Sequence, residues 1–128
     1  MFGNLEILRL AGGLSRHAEA RGLEIARNVA NADTPGYRAR DLKPFEQTFA
    51  ESAGALPLRT TRPGHLPGRE DFAGWQVVDA SDGESPNGNT VSLEDQMVKS
   101  AEVRQNHDTA LAVYSTTLDI LRSAIGKR

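Results

Sequence analysis

Residues 28–37 read NVANADTPGY, and this stretch decides how the rest of the chain is interpreted. Pro35 disfavours a helical backbone at Thr34, and Gly36 can adopt the positive φ that a tight turn needs. A helix that arrives from the N-terminal side must therefore stop here. The chain is expected to turn at this point.

Three residues of the stretch suggest how that helix end is held. Asn28 and Asn31 could bond backbone groups that lack intrahelical partners, and Tyr37 could pack its ring and place its hydroxyl on a neighbouring carbonyl. An ordinary capped helix end followed by a partly buried tyrosine explains the same residues. The residues alone leave both interpretations open.

Upstream of the turn, residues 5–32 repeat small or apolar side chains at alternating three and four positions, the 3.5-residue period of a helix-packing surface. Small side chains allow neighbouring helix backbones to approach closely, which favours a tightly packed assembly. We call this row the N-terminal seam; it consists of Leu8, Ala11, Ser15, Ala18, Gly22, Ile25, Val29 and Ala32.

Downstream, Ser92 followed by Asp95 resembles a capping box at the start of a second helix. The periodic run that follows predicts about 33 helical residues, or about 50 Å. We call this row the C-terminal seam; it consists of Leu93, Met97, Ser100, Arg104, His107, Leu111, Tyr114, Leu118, Leu121 and Ile125.

The C-terminal seam has two interpretations that do not exclude each other. It could pack on the N-terminal helix as a hairpin within one chain, or neighbouring subunits could complete it. Arg104 and His107 weigh against a dry two-helix core, because an unpaired buried charge is costly. These two residues suit a boundary with a partner or a surface that faces solvent.

Between Arg40 and Asn89 the periodicity is poor and residues typical of turns are dense. A short helix over residues 44–51 and a short strand over residues 75–78 are expected, and the remainder reads as loop. The predicted turns fall at Pro57, Pro63-Gly64, Pro67-Gly68, Asp82-Gly83 and Pro86-Asn87-Gly88.

Composition excludes several classes of protein. With 38% hydrophobic and 5% aromatic residues in 128, a monomeric core would be small, and partners would help. The net charge of −2 and scattered bases give no reason to bind nucleic acid. No apolar stretch approaches the ~20 residues of a membrane span, and no basic and apolar leader is evident, so we expect neither an integral membrane protein nor a cleaved signal peptide.

Catalysis and cofactors are not expected either. The chain has no cysteine, and His17, His65 and His107 are too far apart in sequence to suggest a metal site. No nucleophile and base stand in a recognisable pattern, so we predict no enzyme, no metal and no cofactor. A helix lying on a membrane surface is disfavoured by the mixed charges of the N-terminal helix.

These patterns predict a mainly α protein. Long N- and C-terminal helices pack in a coiled-coil-like manner, and the irregular central segment contains at most a short β-hairpin. The predicted parts are residues 1–39, 40–90 and 91–128. Against a polymerising subunit stands a discrete helical-hairpin adaptor or export chaperone, which has no evident use for so long a central segment.

The stretch at residues 28–37 resembles the signature of the flagellar rod and hook axial proteins. The continuation RARDLKPF at residues 38–45 and the stretch NGNTVSLEDQM at residues 87–97 are similar to proximal-rod members of that family. The resemblance therefore extends over nearly the whole chain. Family members often have Asp where Ser92 stands, but Ser caps a helix equally well.

The resemblance implies that residues 1–39 and 91–128 form the inner rod domain, and that Asn28, Asn31, Thr34, Pro35, Gly36 and Tyr37 lie at a subunit contact. It also implies polymerisation into part of the drive shaft and export channel. The implied partners are other copies of the chain, other rod subunits, the rod adaptor FliE, the MS-ring protein and the flagellar type III export apparatus. The implied location is the rod of the basal body in the periplasmic space.

Overall fold

A computed structural model of the chain describes residues 2–53, 74–81, 83 and 85–126. Helix α1 spans Phe2–Ala30 and helix α3 spans Leu93–Ile125, with a shorter helix α2 at Phe45–Ala53. Strands β1 (Arg40–Leu42) and β2 (Val77–Asp79) form a two-stranded sheet. The prediction of a mainly α protein with two long terminal helices is confirmed.

The predicted turn after α1 is confirmed. The Asn31 amide still makes a helical bond to the Arg27 carbonyl at 3.1 Å, but the Ala32 amide bonds the Val29 carbonyl, three residues back, at 3.2 Å, and the helix ends at Ala30. Gly36 has φ +71°, a backbone conformation that residues with a Cβ rarely adopt.

The start of α3 also follows the prediction. The Ser92 hydroxyl accepts a hydrogen bond from the Asp95 amide at 3.4 Å, and the helix runs for 33 residues from Leu93. Such a cap satisfies one of the amides that the first turn leaves without an intrahelical partner.

Helices α1 and α3 pack against each other in antiparallel directions. Along α1, Arg21 lies beside Glu102, and one and a half to two turns later Asn28 lies beside Gln96. The buried hydrophobic residues among those described are few and mostly small: Ala11, Ala18, Ile25, Ala39, Leu42 and Ala110. As the N-terminal seam predicted, small side chains line the contact, and much of the specificity is left to polar groups.

The face of α3 that packs on α1 is not the C-terminal seam. The buried residues of α3 are Gln96, Ala110 and Thr117, and Val103 contacts Gly22 of α1. The bond between Asn28 and Gln96 fixes this rotation of the helix. Within the C-terminal seam, His107, Leu118 and Leu121 are half-buried. The other members are exposed: Leu93, Met97, Ser100, Arg104, Leu111, Tyr114 and Ile125.

The N-terminal seam is the buried face of α1 at Ala11, Ala18 and Ile25. Leu8 is half-buried at its edge, and Val29 is exposed near the helix end. Within the single chain the buried part of this row therefore lies in the middle of α1 and does not extend to Val29.

The central segment contains the short helix and strand that were predicted, with shifted bounds. Helix α2 begins at Phe45, and β2 begins at Val77 rather than Trp75. The strands pair antiparallel, with Arg40 opposite Asp79 and Leu42 opposite Val77, but α2 lies between them in sequence, so they are not a tight hairpin. The turns predicted at Pro57, Pro63 and Pro67, together with His65, lie outside the described residues.

Replacing Gly22 with alanine should raise the free energy of unfolding by about 1 kcal/mol, the difference in helix propensity between the two residues. A Cβ at this position would meet Val103 Cγ1 at 3.7 Å, an ordinary van der Waals distance. Urea unfolding followed by circular dichroism measures the change. Gly12→Ala is the matched control, because no atom lies within 4 Å of its Cβ. If Gly22→Ala lowered the free energy of unfolding while Gly12→Ala raised it, Val103 would leave no room for the added methyl group.

Candidate functional site

Asn28 is the centre of a junction between α1, β1 and α3. Its side chain is 1% exposed, and its Nδ2 donates to the Arg40 carbonyl at 2.6 Å and to Gln96 Oε1 at 3.0 Å. Its Oδ1 accepts from the Arg40 amide at 3.0 Å and from the Tyr37 hydroxyl at 3.4 Å. Both donor hydrogens and both acceptor positions of this amide are therefore used.

The geometry explains why an asparagine stands at this position. A side-chain amide has a donor and an acceptor on one plane, so Asn28 can bond both the N–H and the C=O of Arg40 as a neighbouring strand would. The Asn28 amide thus holds the first residue of β1 against the last turn of α1. Gln96, in the first turn of α3, completes the junction.

Asn89 closes the C-terminal end of α1. It is buried, and its Nδ2 lies 2.8–2.9 Å from the carbonyl oxygens of Asn31, Ala32 and Thr34. Its Oδ1 accepts from the Val91 amide at 2.8 Å. These three carbonyls belong to the turn that follows α1, and Asn89 supplies side-chain donors to this turn.

The turn at residues 31–37 is attached to the segment before α3. Gly36 donates its amide to the Asn87 carbonyl at 3.1 Å, and Thr90 donates to the Tyr37 carbonyl at 3.0 Å. Within the turn, Asn31 Nδ2 bonds the Arg27 carbonyl at 2.8 Å. The two stretches that carry the family resemblance are thus hydrogen-bonded to each other.

The predicted roles of the turn residues have different outcomes. Asn28 and Asn31 do bond backbone groups, but Asn28 bonds Arg40 of β1, and Asn31 bonds the Arg27 carbonyl, which already accepts from the Asn31 amide within the helix. The Tyr37 hydroxyl bonds the side-chain carbonyl of Asn28 rather than a backbone carbonyl. Thr34, Pro35 and Gly36 are exposed. Their position at a subunit contact stays a prediction.

A cluster of charged residues fixes the same three elements a short distance away. Arg21 of α1 holds Asp41 of β1 with two hydrogen bonds of 2.8 and 3.0 Å. Lys99 of α3 lies 3.7 Å from the same carboxylate, and Glu102 lies 3.3 Å from Arg21. The Asp41 and Arg21 side chains are only 12% and 18% exposed, so this pair is shielded from solvent.

The pKa of Asp41 reflects this environment. Burial alone raises the pKa, but the hydrogen bonds from Arg21 and the Leu42 amide, with the charges of Arg21 and Lys99, hold it below its ordinary value. The carboxylate is therefore ionised throughout the neutral and mildly acidic range.

Sequence reasoning missed Asn89, Gln96, Arg21 and Asp41 as members of the site. Asn89 and Gln96 belong to the stretch at residues 87–97 that carried the resemblance, so their polarity beside a helix start was an available signal. The pairing of Arg21 with Asp41 had no such signal, because it depends on where β1 lies against α1.

The arrangement of the described residues offers surfaces for contact with other proteins. Within residues 2–53, 74–81, 83 and 85–126, no three His, Asp or Glu side chains group so as to hold a metal ion. In that same part of the chain, no helix is both long and apolar enough to span a membrane. The polar junction holds the helices together at one end, while apolar side chains of α3 remain exposed.

Comparison with known proteins identifies the family. No family model matches the chain. The flagellar basal body rod protein FlgB of Cereibacter sphaeroides is 33% identical over 109 residues, which cover 84% of each protein. FlgB of Agrobacterium fabrum is 28% identical over 108 residues, covering 81% of each, and FlgB of Salmonella typhimurium is 32% identical over 104 residues, covering 73% of this chain and 74% of the relative. The chain therefore belongs to the family of the flagellar basal body rod protein FlgB, and it is a structural subunit of the rod.

Proposed function

We propose that the chain assembles into the rod through the exposed row of α3, which we define as Met97, Leu111, Tyr114 and Ile125. The observation that carries this proposal is the exposure of these large side chains, 74% for Met97, 50% for Leu111 and 79% for Ile125. Such a row along one helix is more than the scattered apolar residues of an ordinary surface. Helices of neighbouring subunits would cover it.

The energetics favour this role for the exposed row. Full burial of a Leu or Met side chain contributes about 1.5–3 kcal/mol, so several side chains can offset the loss of motional freedom on association. Among the described residues, the contact of α1 with α3 buries mostly small side chains and polar groups. The apolar burial that the isolated hairpin lacks is therefore supplied on assembly.

In this proposal residues 1–39 and 91–128 form the inner rod domain, and residues 40–90 make lateral contacts. The exposed part of the turn, at Thr34, Pro35 and Gly36, contacts an adjacent subunit. The support is the hydrogen-bonded junction, which presents this turn beside the start of α3 as a fixed surface.

The partners we propose are further copies of the chain, other rod subunits, the rod adaptor FliE and the MS-ring protein. Delivery by the flagellar type III export apparatus would place the subunit in the periplasmic part of the basal body. The support for these partners is the resemblance at residues 28–37 and the names of the relatives. The relatives are named as rod proteins, and we propose no catalytic role.

A cysteine-labelling experiment tests the contact surface. The chain contains no cysteine, so Leu111→Cys provides a single thiol in the exposed row. Gln105→Cys is the matched control. Gln105 is also exposed on α3, but it lies outside the exposed row, on the side of the helix opposite to the buried face. Maleimide should label both free subunits at similar rates and should label Leu111→Cys much more slowly in isolated basal bodies.

The two positions then separate a specific contact from general crowding. Slower labelling at both positions would indicate that assembly covers the whole helix. Unchanged labelling of Leu111→Cys in basal bodies of motile cells would contradict the proposed contact surface.

A further inference from the structure

His17 lies on α1 beneath the start of the central segment, and it is almost fully buried. Its Nε2 is 2.9 Å from the Lys43 carbonyl oxygen. Because a carbonyl only accepts, Nε2 carries the hydrogen and donates it. Nδ1 is therefore the atom that would take up a second proton.

Aromatic rings of the central segment surround this imidazole. The centroid of the Trp75 ring lies 5.0 Å from that of His17, in an edge-on arrangement, and the centroid of the Phe45 ring lies 5.7 Å from it. Phe45 also contacts Trp75 at 6.5 Å and Phe49 at 6.0 Å. Of these four rings only His17 belongs to α1, so its ring joins the aromatic cluster to the helix.

The charges that face His17 oppose each other, and burial is the main reason that the imidazolium is disfavoured. From α1 it faces Arg21, and from β1 it faces Asp41, whose carboxylate already bonds Arg21 and the Leu42 amide. Burial lowers the pKa of His17, and the positive charge of Arg21 lowers it further. The hydrogen bond to the Lys43 carbonyl and the negative charge of Asp41 raise it. The result is a pKa below the ordinary value.

We propose that His17 is an acid-sensitive latch, which in its neutral form holds residues 43–49 and Trp75 on α1 and on protonation at Nδ1 releases them. The sign follows from linkage. The closed form binds fewer protons than the released form below a pH of about 6.5, the ordinary pKa of histidine, so acid favours release. Helices α1 and α3 stay paired, because the contacts of Asn28 and Asp41 contain no histidine.

Trp75 is the only tryptophan of the chain and reports on the latch directly. Between pH 7.5 and 4.5 the full-length chain should show a red shift of the tryptophan emission maximum and faster acrylamide quenching. The circular dichroism of the helices should remain unchanged over this range. His17→Gln keeps an N–H donor for the Lys43 carbonyl and removes the titration, so its emission should not depend on pH.

His107→Gln is the matched control: His107 is a half-buried histidine of α3 that is not one of the four rings of the aromatic cluster, and its variant should keep the red shift. Proton–carbon NMR of the histidine rings in the unmodified chain gives the pKa of His17 independently of any variant. A red shift that persists in His17→Gln would overturn the latch. A His17 pKa above the ordinary value would also overturn it. A loss of emission intensity with no shift of the maximum would overturn it as well, because it would mean that His17 is protonated inside a closed cluster.

Discussion

Replacing Asn28 with alanine should lower the free energy of unfolding by roughly 2–4 kcal/mol, the expected penalty for leaving several buried polar groups without partners. The substitution removes the partners of both backbone groups of Arg40 and of the Gln96 side chain. The bond to Gln96 is buried and the two bonds to Arg40 are part-buried, so water does not reach all of these groups equally. Urea unfolding followed by helical circular dichroism measures the loss.

Asn31→Ala is the control for this prediction. Asn31 is half-exposed, and its Nδ2 bond to the Arg27 carbonyl can be replaced by water. We therefore expect Asn31→Ala to lower the free energy of unfolding by about 1 kcal/mol or less. Equal losses in the two variants would mean that the junction is open to solvent and does not hold the three elements together.

Asp41→Asn should destabilise the chain by about 3 kcal/mol at neutral pH, since removing one member of a shielded ion pair leaves the other charge uncompensated. In the variant, Arg21 and Lys99 face a neutral amide. Asp119→Asn is the control, because Asp119 pairs with Arg122 at an exposed position. An exposed pair contributes less than about 1 kcal/mol.

The effect of Asp41 should also depend on pH in a defined direction. The folded chain holds the pKa of Asp41 below its unfolded value, so the carboxylate stabilises fully above a pH of about 4 and loses its contribution as pH falls through the folded pKa. Unfolding experiments in a His17→Gln background remove the titration of His17 from the comparison. The difference in unfolding free energy between the chain that keeps Asp41 and the Asp41→Asn variant should stay constant from pH 7 to 5 and shrink below pH 4.

A difference that persists unchanged at pH 3 would contradict this assignment, because below a pH of about 4 the unfolded chain binds a proton at Asp41 more readily than the folded chain does, which lowers the unfolding free energy. A loss at neutral pH as small as that of Asp119→Asn would contradict it as well. In that case the cluster would be an ordinary surface pair, and the junction at Asn28 alone would hold β1 in place.

The parts of the fold that were predictable from sequence are those set by local rules. The period of α1, the turn at Gly36 and the cap at Ser92 depend on residues within a few positions of each other. The same locality allowed the length of α3 to be predicted. Side-chain periodicity identifies a helix without reference to its neighbours.

The rotation of α3 could not be predicted in this way. The apolar row beginning at Met97 is the stronger periodic signal, yet Gln96 faces α1 because it bonds Asn28, 68 positions away in sequence. A long-range polar bond thus overrides the apolar pattern within the chain. The same reason explains why β1 and the pairing of Arg21 with Asp41 were not foreseen, because each depends on elements distant in sequence.

The small residues at the contact of α1 with α3 have a mechanical consequence. A surface of alanine side chains is smooth, and by itself it would resist sliding of one helix along the other only weakly. The bonds at Asn28, Arg21 and Asp41 are directional, and a displacement of one residue would break them together. In a shaft that carries torque, the end of the helix pair near Asn28 would resist shear. The opposite end, near Ala11 of α1, would yield slightly under load, because its contacts are not directional.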